Sequence, residues 1–135
     1  MIEGSCHCGA VCWKFDVEPD SATTCNCTIC RRYGVLWAYD LQGDRTEFSG
    51  PTRSYIRTTG DWGEPGVGFY FCENCGCVTH YRAFKPDAEG RIRTAVNLRM
   101  AEPEAIAGLP VRHWEGLHSF TSLGQDGRSV ADMWF

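Results

Sequence analysis

Apolar and polar residues alternate along residues 11–17, which place Val11, Trp13, Phe15 and Val17 on one face of the chain. This period of two is typical of a half-buried β-strand, because successive side chains of a strand point to opposite faces. Shorter segments of the same kind, separated by Gly, Pro and Asp, predict further strands at residues 36–41, 54–57, 67–72, 78–81 and 92–98. The chain is therefore expected to be mainly β.

Helical signals are few. Residues 28–33 end before Gly34, and residues 102–107 have Pro103 near their start and Gly108 after their end, so two short helices are predicted. The turn-rich stretch 59–68 predicts a mobile loop.

The length of 135 residues predicts one domain covering residues 1–135. No stretch approaches the ~20 apolar residues of a membrane helix, and the N-terminal residues lack the pattern of a secretory signal. We therefore expect a cytoplasmic protein with reduced thiols and no membrane partner. A net charge of −4 argues against a nucleic-acid partner, because binding to phosphates depends on positive charge.

Cysteine is the residue type that carries the chemistry. Eight of the nine cysteines fall in three clusters, and Cys12 stands alone. Spacings of C-x-C and C-x-x-C bring thiolates together on tight turns, as metal binding requires. A disulfide framework is disfavoured by the odd count and the absent signal, and a redox role usually needs one such motif rather than three. The clusters are Cys6 and Cys8; Cys25, Cys27 and Cys30; and Cys72, Cys75 and Cys77.

The middle cluster offers three ligands, which is the arrangement of a catalytic zinc with one open coordination position. The outer clusters together offer four ligands, Cys6, Cys8, Cys72 and Cys75, which would close a structural site. Such a site would join distant segments and couple metal binding to folding.

Glycines follow two of these ligands directly. Gly9 comes after Cys8 and Gly76 comes after Cys75, as expected where the chain turns sharply around a metal. Two cysteines remain outside the assignment. Cys77 is close enough in sequence to reach the same metal, whereas Cys12 is more simply a small side chain within a strand.

The cysteine clusters belong to three longer motifs, which are Gly4-Ser-Cys-His-Cys-Gly-Ala-Val11, then Cys25-x-Cys-x-x-Cys-Arg-Arg32, then Phe71-Cys-x-x-Cys-Gly76. Together these motifs resemble the glutathione-dependent formaldehyde-activating enzyme family. The segment Val111-Arg-His-Trp-Glu-Gly116 is also similar to that family. The sequence departs from the family pattern at Asn26, where His is common.

The resemblance implies an Mss4-like zinc-binding β fold with two zinc ions. The structural zinc would be bound by Cys6, Cys8, Cys72 and Cys75, and the catalytic zinc by Cys25, Cys27 and Cys30. It also implies a carbon–sulfur lyase that joins glutathione and formaldehyde, or splits S-hydroxymethylglutathione, with a small-molecule thiol as partner. The alternatives are a noncatalytic zinc-binding interaction module, or a redox switch in which Cys12 and Cys77 respond to oxidants.

The sequence indicates the substrate-binding residues less clearly than it indicates the cysteine ligands of the metals. Arginines suit the carboxylates of a tripeptide thiol, and His80 suits acid–base chemistry better than His7. Aromatic residues could line a pocket. Surface roles for such arginines, and strand or core roles for the histidines and aromatic residues, are nevertheless more common. The candidates are Arg31, Arg32, Arg53, Arg57, Arg82, Trp37, Tyr39 and Trp62.

Overall fold

A computed structural model of the protein describes residues 1–58 and 66–133. Strands β1 (Ile2–Ser5), β2 (Cys12–Phe15) and β5 (Thr46–Ser49) form a three-stranded antiparallel sheet in the order β1-β2-β5. The remaining strands form an eight-stranded sheet in the order β11-β10-β3-β4-β9-β8-β7-β6. These are β3 (Ala22–Cys25), β4 (Trp37–Leu41), β6 (Thr52–Ile56), β7 (Val67–Cys72), β8 (Val78–Ala83), β9 (Arg93–Asn97), β10 (Pro110–Glu115) and β11 (Thr121–Ser129).

Within the large sheet, β10 pairs with β3 in parallel, and the other described strand pairs are antiparallel. The helices are short: α1 (Cys30–Tyr33), α2 (Pro103–Ile106) and two 3₁₀ turns at Leu98–Met100 and Ala131–Met133. The prediction of a mainly β fold with few short helices is confirmed. None of the described helices has the length and apolar character needed to cross a membrane.

The predicted face of the first alternating segment is correct for three of its four residues. Val11, Trp13 and Phe15 are buried, but Val17 is 54% exposed. The prediction for Val17 is wrong because β2 ends at Phe15, so Val17 lies outside the sheet and has no facing layer. Of the predicted loop at 59–68, residues 59–65 lie outside the described residues, and Val67 already belongs to β7.

The two faces of the large sheet pack into two different hydrophobic cores. Leu36 and Ala38 pack with Trp13 and Phe15 of the small sheet, whereas Trp37 points to the opposite face. On that opposite face lie Cys27 and Cys30 with the side chains of β7, β8 and β9. Because successive side chains of β4 point to opposite faces, one face of the large sheet packs against the small sheet and the other carries the cysteines Cys27 and Cys30.

Candidate metal centres and pocket

The four outer cysteines lie on two matching turns. Cys6 and Cys8 follow β1, while Cys72 ends β7 and Cys75 lies in the turn to β8. Their four Sγ atoms all lie within 4.8 Å of one another, and the Sγ atoms of Cys6 and Cys72 are each 3.6 Å from that of Cys8. A tetrahedral zinc with bonds of about 2.3 Å requires sulfur separations of about 3.8 Å, whereas a disulfide requires about 2.05 Å. The sulfur positions therefore fit a four-thiolate metal site.

The backbone of the two turns follows the same pattern. The Gly9 N–H donates to the Cys6 carbonyl at 2.9 Å, and the Gly76 N–H donates to the Cys72 carbonyl at 2.8 Å. Gly9 and Gly76 have φ values of 80° and 79°, a left-handed conformation that favours glycine. The expectation that these glycines allow sharp turns at the ligands is confirmed.

The two remaining thiols belong to neither group of sulfurs. Cys12 is half-buried on β2, where its thiol lies 3.7 Å from the Gly9 carbonyl oxygen. Cys77 is half-buried beside Cys75, whose pKa is lowered to about 5 by backbone hydrogen bonds from Cys77 and Cys8. The backbone N–H of Cys77 and, to a smaller extent, its thiol thus both favour the thiolate form of Cys75.

The middle cluster is assembled where β3 ends and α1 begins. The Sγ atoms of Cys25, Cys27 and Cys30 lie within 4.8 Å of one another. Backbone N–H groups of Cys27 and Cys30 donate to the Sγ atoms of Cys25 and Cys27, each at 3.4 Å, and Trp37 Nε1 donates to Cys30 Sγ at 3.3 Å. Such donors stabilise thiolates. Within residues 1–58 and 66–133, no further Cys, His, Asp or Glu side chain joins this group.

Hydrogen bonds within the middle cluster favour the thiolate form of Cys27. Hydrogen bonds from the Cys25 and Cys30 thiols lower the pKa of Cys27, and the hydrogen bond with Cys27 raises the pKa of Cys25 to about 11. The guanidinium Nη1 of Arg57 lies 3.8 Å from Cys27 Sγ, and its Nη2 lies 3.4 Å from the Thr28 hydroxyl. Arg57 is 9% exposed, so its charge offsets that of the thiolate in a poorly solvated environment.

A cavity of about 340 Å³ opens directly over the three sulfurs. Among the described residues, its walls include six aromatic side chains, and Arg57, Arg93 and Arg112 contribute positive charge. The Arg93 guanidinium lies over the Tyr39 ring, 4.5 Å from its centroid, which fixes its position by a cation–π contact. The aromatic wall residues are Trp37, Tyr39, Phe69, Tyr81, Trp114 and Phe120.

Asn26 connects the loop that carries the three middle cysteines, residues 25–30 (the metal loop), to the turn after β10. Its Oδ1 accepts a hydrogen bond from the Gly116 N–H at 2.7 Å, and its Nδ2 donates to Glu115 Oε1 at 3.0 Å. Glu115 also accepts from the backbone N–H groups of Leu117, His118 and Ser119. The hydrogen bonds from Ser119 and Asn26 lower the pKa of Glu115, so this carboxylate stays ionised and holds the turn together.

Comparison with known proteins agrees with this geometry. Residues 1–105 match the family described as glutathione-dependent formaldehyde-activating enzyme, which is most of the chain. The chain belongs to this family. A crystal structure of a Rhodobacter sphaeroides protein has the same fold, with a TM-score of 0.58 and 23% identity over 82% of this chain and 99% of that chain. No curated protein matches the sequence.

The candidate substrate-binding residues differ in whether they line a cavity beside the middle cysteines. Trp37, Tyr39 and Arg57 line the cavity, whereas Arg31 faces a neighbouring cavity beside Cys25 and Cys30. His80 is stacked against the rings of Phe48 and Tyr70 and lines neither of these cavities. Arg32, Arg53, Arg82 and His7 line neither cavity, and Trp62 lies outside the described residues.

Sequence reasoning missed six of the aromatic and arginine residues that line the cavity. Phe69 and Tyr81 come from β7 and β8. Arg93 comes from β9, where it pairs with Leu41 beside Tyr39, and Arg112 and Trp114 come from β10, which pairs with β3 in parallel. Phe120 lies in the turn before β11. Each reaches the cavity only through strand order, which no local spacing in the sequence encodes. The similarity of residues 111–116 to the family was the one available signal.

Proposed function

We propose that this chain is a zinc-dependent carbon–sulfur lyase that splits or forms thiol adducts of small aldehydes, of the S-hydroxymethylglutathione type. One zinc is held by Cys6, Cys8, Cys72 and Cys75, and a second by Cys25, Cys27 and Cys30. The observation that carries the proposal is the opening of a three-thiol site into a cavity, with no fourth protein ligand among the described residues. A noncatalytic module would instead close this site with a fourth side chain.

The bound metal would supply a Lewis acid with one open coordination position for the substrate. The surrounding residues of the chain hold and shield that position. Arg57 offsets the charge of Cys27, and the indole N–H of Trp37, in the cavity wall, donates a hydrogen bond to the sulfur of Cys30. The aromatic walls reduce access of water to the reacting carbon, which strengthens electrostatic interactions there.

The reaction is balanced without an oxidant or reductant. In the cleavage direction the C–S bond of the adduct breaks, and its electron pair stays on sulfur. The adduct hydroxyl loses its proton and its oxygen forms the carbonyl bond of the aldehyde, while the sulfur ends protonated as the free thiol. The reverse steps form the adduct. The chemistry requires reduced ligands, which a cytoplasmic location maintains.

The test is decomposition of the glutathione–formaldehyde adduct by the zinc-loaded chain and by a Cys27→Ser variant. We expect the variant to lose metal at the middle site and to be slower by about 100-fold or more, the cost of removing an electrostatic stabiliser of the reacting group. A Cys12→Ser variant, altered outside both sulfur groups, should retain the rate. Full activity of Cys27→Ser without its middle-site metal would refute the proposal.

A further inference from the structure

The cavity over the middle cysteines has six aromatic wall residues among the described residues, which is more apolar surface than the hydroxymethyl group of a formaldehyde adduct can cover. We infer that the aldehyde-derived part of the adduct is aromatic, and that its ring binds between the aromatic walls with Phe120 over it. This inference rests on the proposed function and names the substrate class of the same site. A hydroxymethyl group ends at the reacting carbon, so it would leave most of the aromatic wall facing water.

Four of the aromatic wall residues pack against one another as a preformed cluster of rings. Trp37 and Tyr81 meet edge to face, with centroids 5.2 Å apart and planes at 90°, and Tyr39 meets Tyr81 at 6.0 Å and 66°. The ring centroid of Phe69 lies 6.3 Å from that of Trp37. Rings at such separations and tilts offer faces and edges on which a further ring can pack favourably. The side chains are held by their neighbours, so little ordering is needed when a ligand ring binds.

Phe120 is the exposed member of the aromatic wall. It is 48% exposed, and its φ of 51° is unusual for a residue other than glycine. The preceding turn is fixed by the carboxylate of Glu115, which Asn26 connects to the metal loop. A strained conformation persists where its surroundings determine it, and here the result is an apolar ring presented at the cavity. Phe120 is therefore assigned as a specificity-determining residue.

The rim of the cavity suits the thiol part of the adduct. Arg93 and Arg112 are exposed cations, and no Asp or Glu is among the described residues that line the cavity. A thiol that carries carboxylates, such as glutathione, can place them at these guanidinium groups while its sulfur points toward the three cysteines. The ring of the aldehyde part then occupies the apolar interior.

The inference is tested by calorimetric titration of the zinc-loaded full chain with S-benzylglutathione and S-methylglutathione. The two ligands share the tripeptide and differ by the ring. We expect S-benzylglutathione to bind about tenfold more tightly or better, as one well-packed aromatic contact implies. Equal affinity of the two ligands would overturn the inference.

Two variants locate the ring. Phe120→Ala should reduce the preference for the benzyl ligand several-fold, whereas Leu117→Ala, an exposed apolar residue of the same turn that does not line the cavity, should keep it. An unchanged preference in Phe120→Ala would overturn the assignment of that residue. Neither thioether can be split into aldehyde and thiol, so this preference is measured independently of turnover. A chain that cleaves the formaldehyde adduct without preferring the ring would contradict this inference alone.

Discussion

His80 is a neutral histidine in the core rather than a catalytic acid or base. Its ring is stacked 4.0 Å from the centroid of Phe48 and 4.7 Å from that of Tyr70, and its Nδ1 lies 2.9 Å from the Thr79 hydroxyl. Burial, assisted by the charge of Arg82, lowers the pKa of His80 to about 4. The residue type suggested a proton carrier, but the environment selects the uncharged form.

This pKa predicts a specific pH dependence of stability. In the unfolded chain His80 takes up a proton below about pH 6.5, whereas in the folded chain it stays neutral down to about pH 4. The free energy of unfolding should therefore fall as the pH drops from 6.5 toward 4, by up to about 3 kcal/mol from this residue. Urea unfolding across this range should show a shallower fall for a His80→Gln variant.

The natural chain and the His80→Gln variant share every titrating group except His80. Protonation of the cysteines and carboxylates contributes to both, so the difference between the two pH profiles isolates His80. Parallel profiles for the natural chain and the variant would show that His80 is not held neutral.

At the scale of elements, the turn between β10 and β11 is pressed against the metal loop. A Cβ atom on Gly116 would lie 2.9 Å from Cys27 Cβ and 3.1 Å from Cys25 Sγ. Gly116→Ala should therefore displace these ligands and weaken metal binding at the middle site by about 10–100-fold, the range seen when groups supporting ligands are disturbed. Competition titration with a metal-binding dye measures this affinity.

Gly108 supplies the matched control for this variant. A Cβ there would meet nothing within 4 Å, and its φ lies outside the left-handed region. Gly108→Ala should leave both metal affinities unchanged. A Gly116→Ala variant with the natural affinity at the middle site would show that the turn does not constrain the metal loop.

Most of the strands that the sequence predicted have a clear apolar face, and the exception is the exposed edge strand β6, predicted at residues 54–57. Residues of β2, β4, β7, β8 and β9 were found by alternation, since each has a core on at least one side. β11 was not predicted because it is an exposed edge strand with two glycines and many polar residues, and it forms by pairing with β10. β3 was missed because its small side chains lie between two neighbouring strands, where burial on both faces removes the alternation.

The candidate ligands were predictable because metal binding leaves a local signature. C-x-C and C-x-x-C spacings place sulfurs on one turn, and the structure brings each predicted group together. The sequence candidates Trp37, Tyr39 and Arg57 do line the cavity. The rest of its wall was not predictable, because residues such as Arg93, Arg112 and Trp114 reach it through the register of β9 and β10. Short motifs therefore indicate the candidate metal sites, while the substrate-facing surface depends on the order of strands in the sheet.

At the scale of the molecule, the two sulfur groups differ in what they connect. Cys8 and Cys72 are 64 residues apart in sequence, so the four-sulfur site joins the turn after β1 to the hairpin of β7 and β8. The three-sulfur site lies within one short segment at the end of β3. Metal bound at the first site would therefore be coupled to the global fold, and metal bound at the second would be coupled mainly to the cavity.

Native mass spectrometry of the reduced chain tests the two-site account most directly. The natural chain should carry two zinc ions, and Cys27→Ser should carry one while remaining folded, because only the local site is disturbed. Cys72→Ser should lose the long-range connection and unfold, since structural zinc contributes about 10–16 kcal/mol of binding free energy in small domains. A reduced natural chain without zinc, or a Cys27→Ser chain that still carries two ions, would contradict the account.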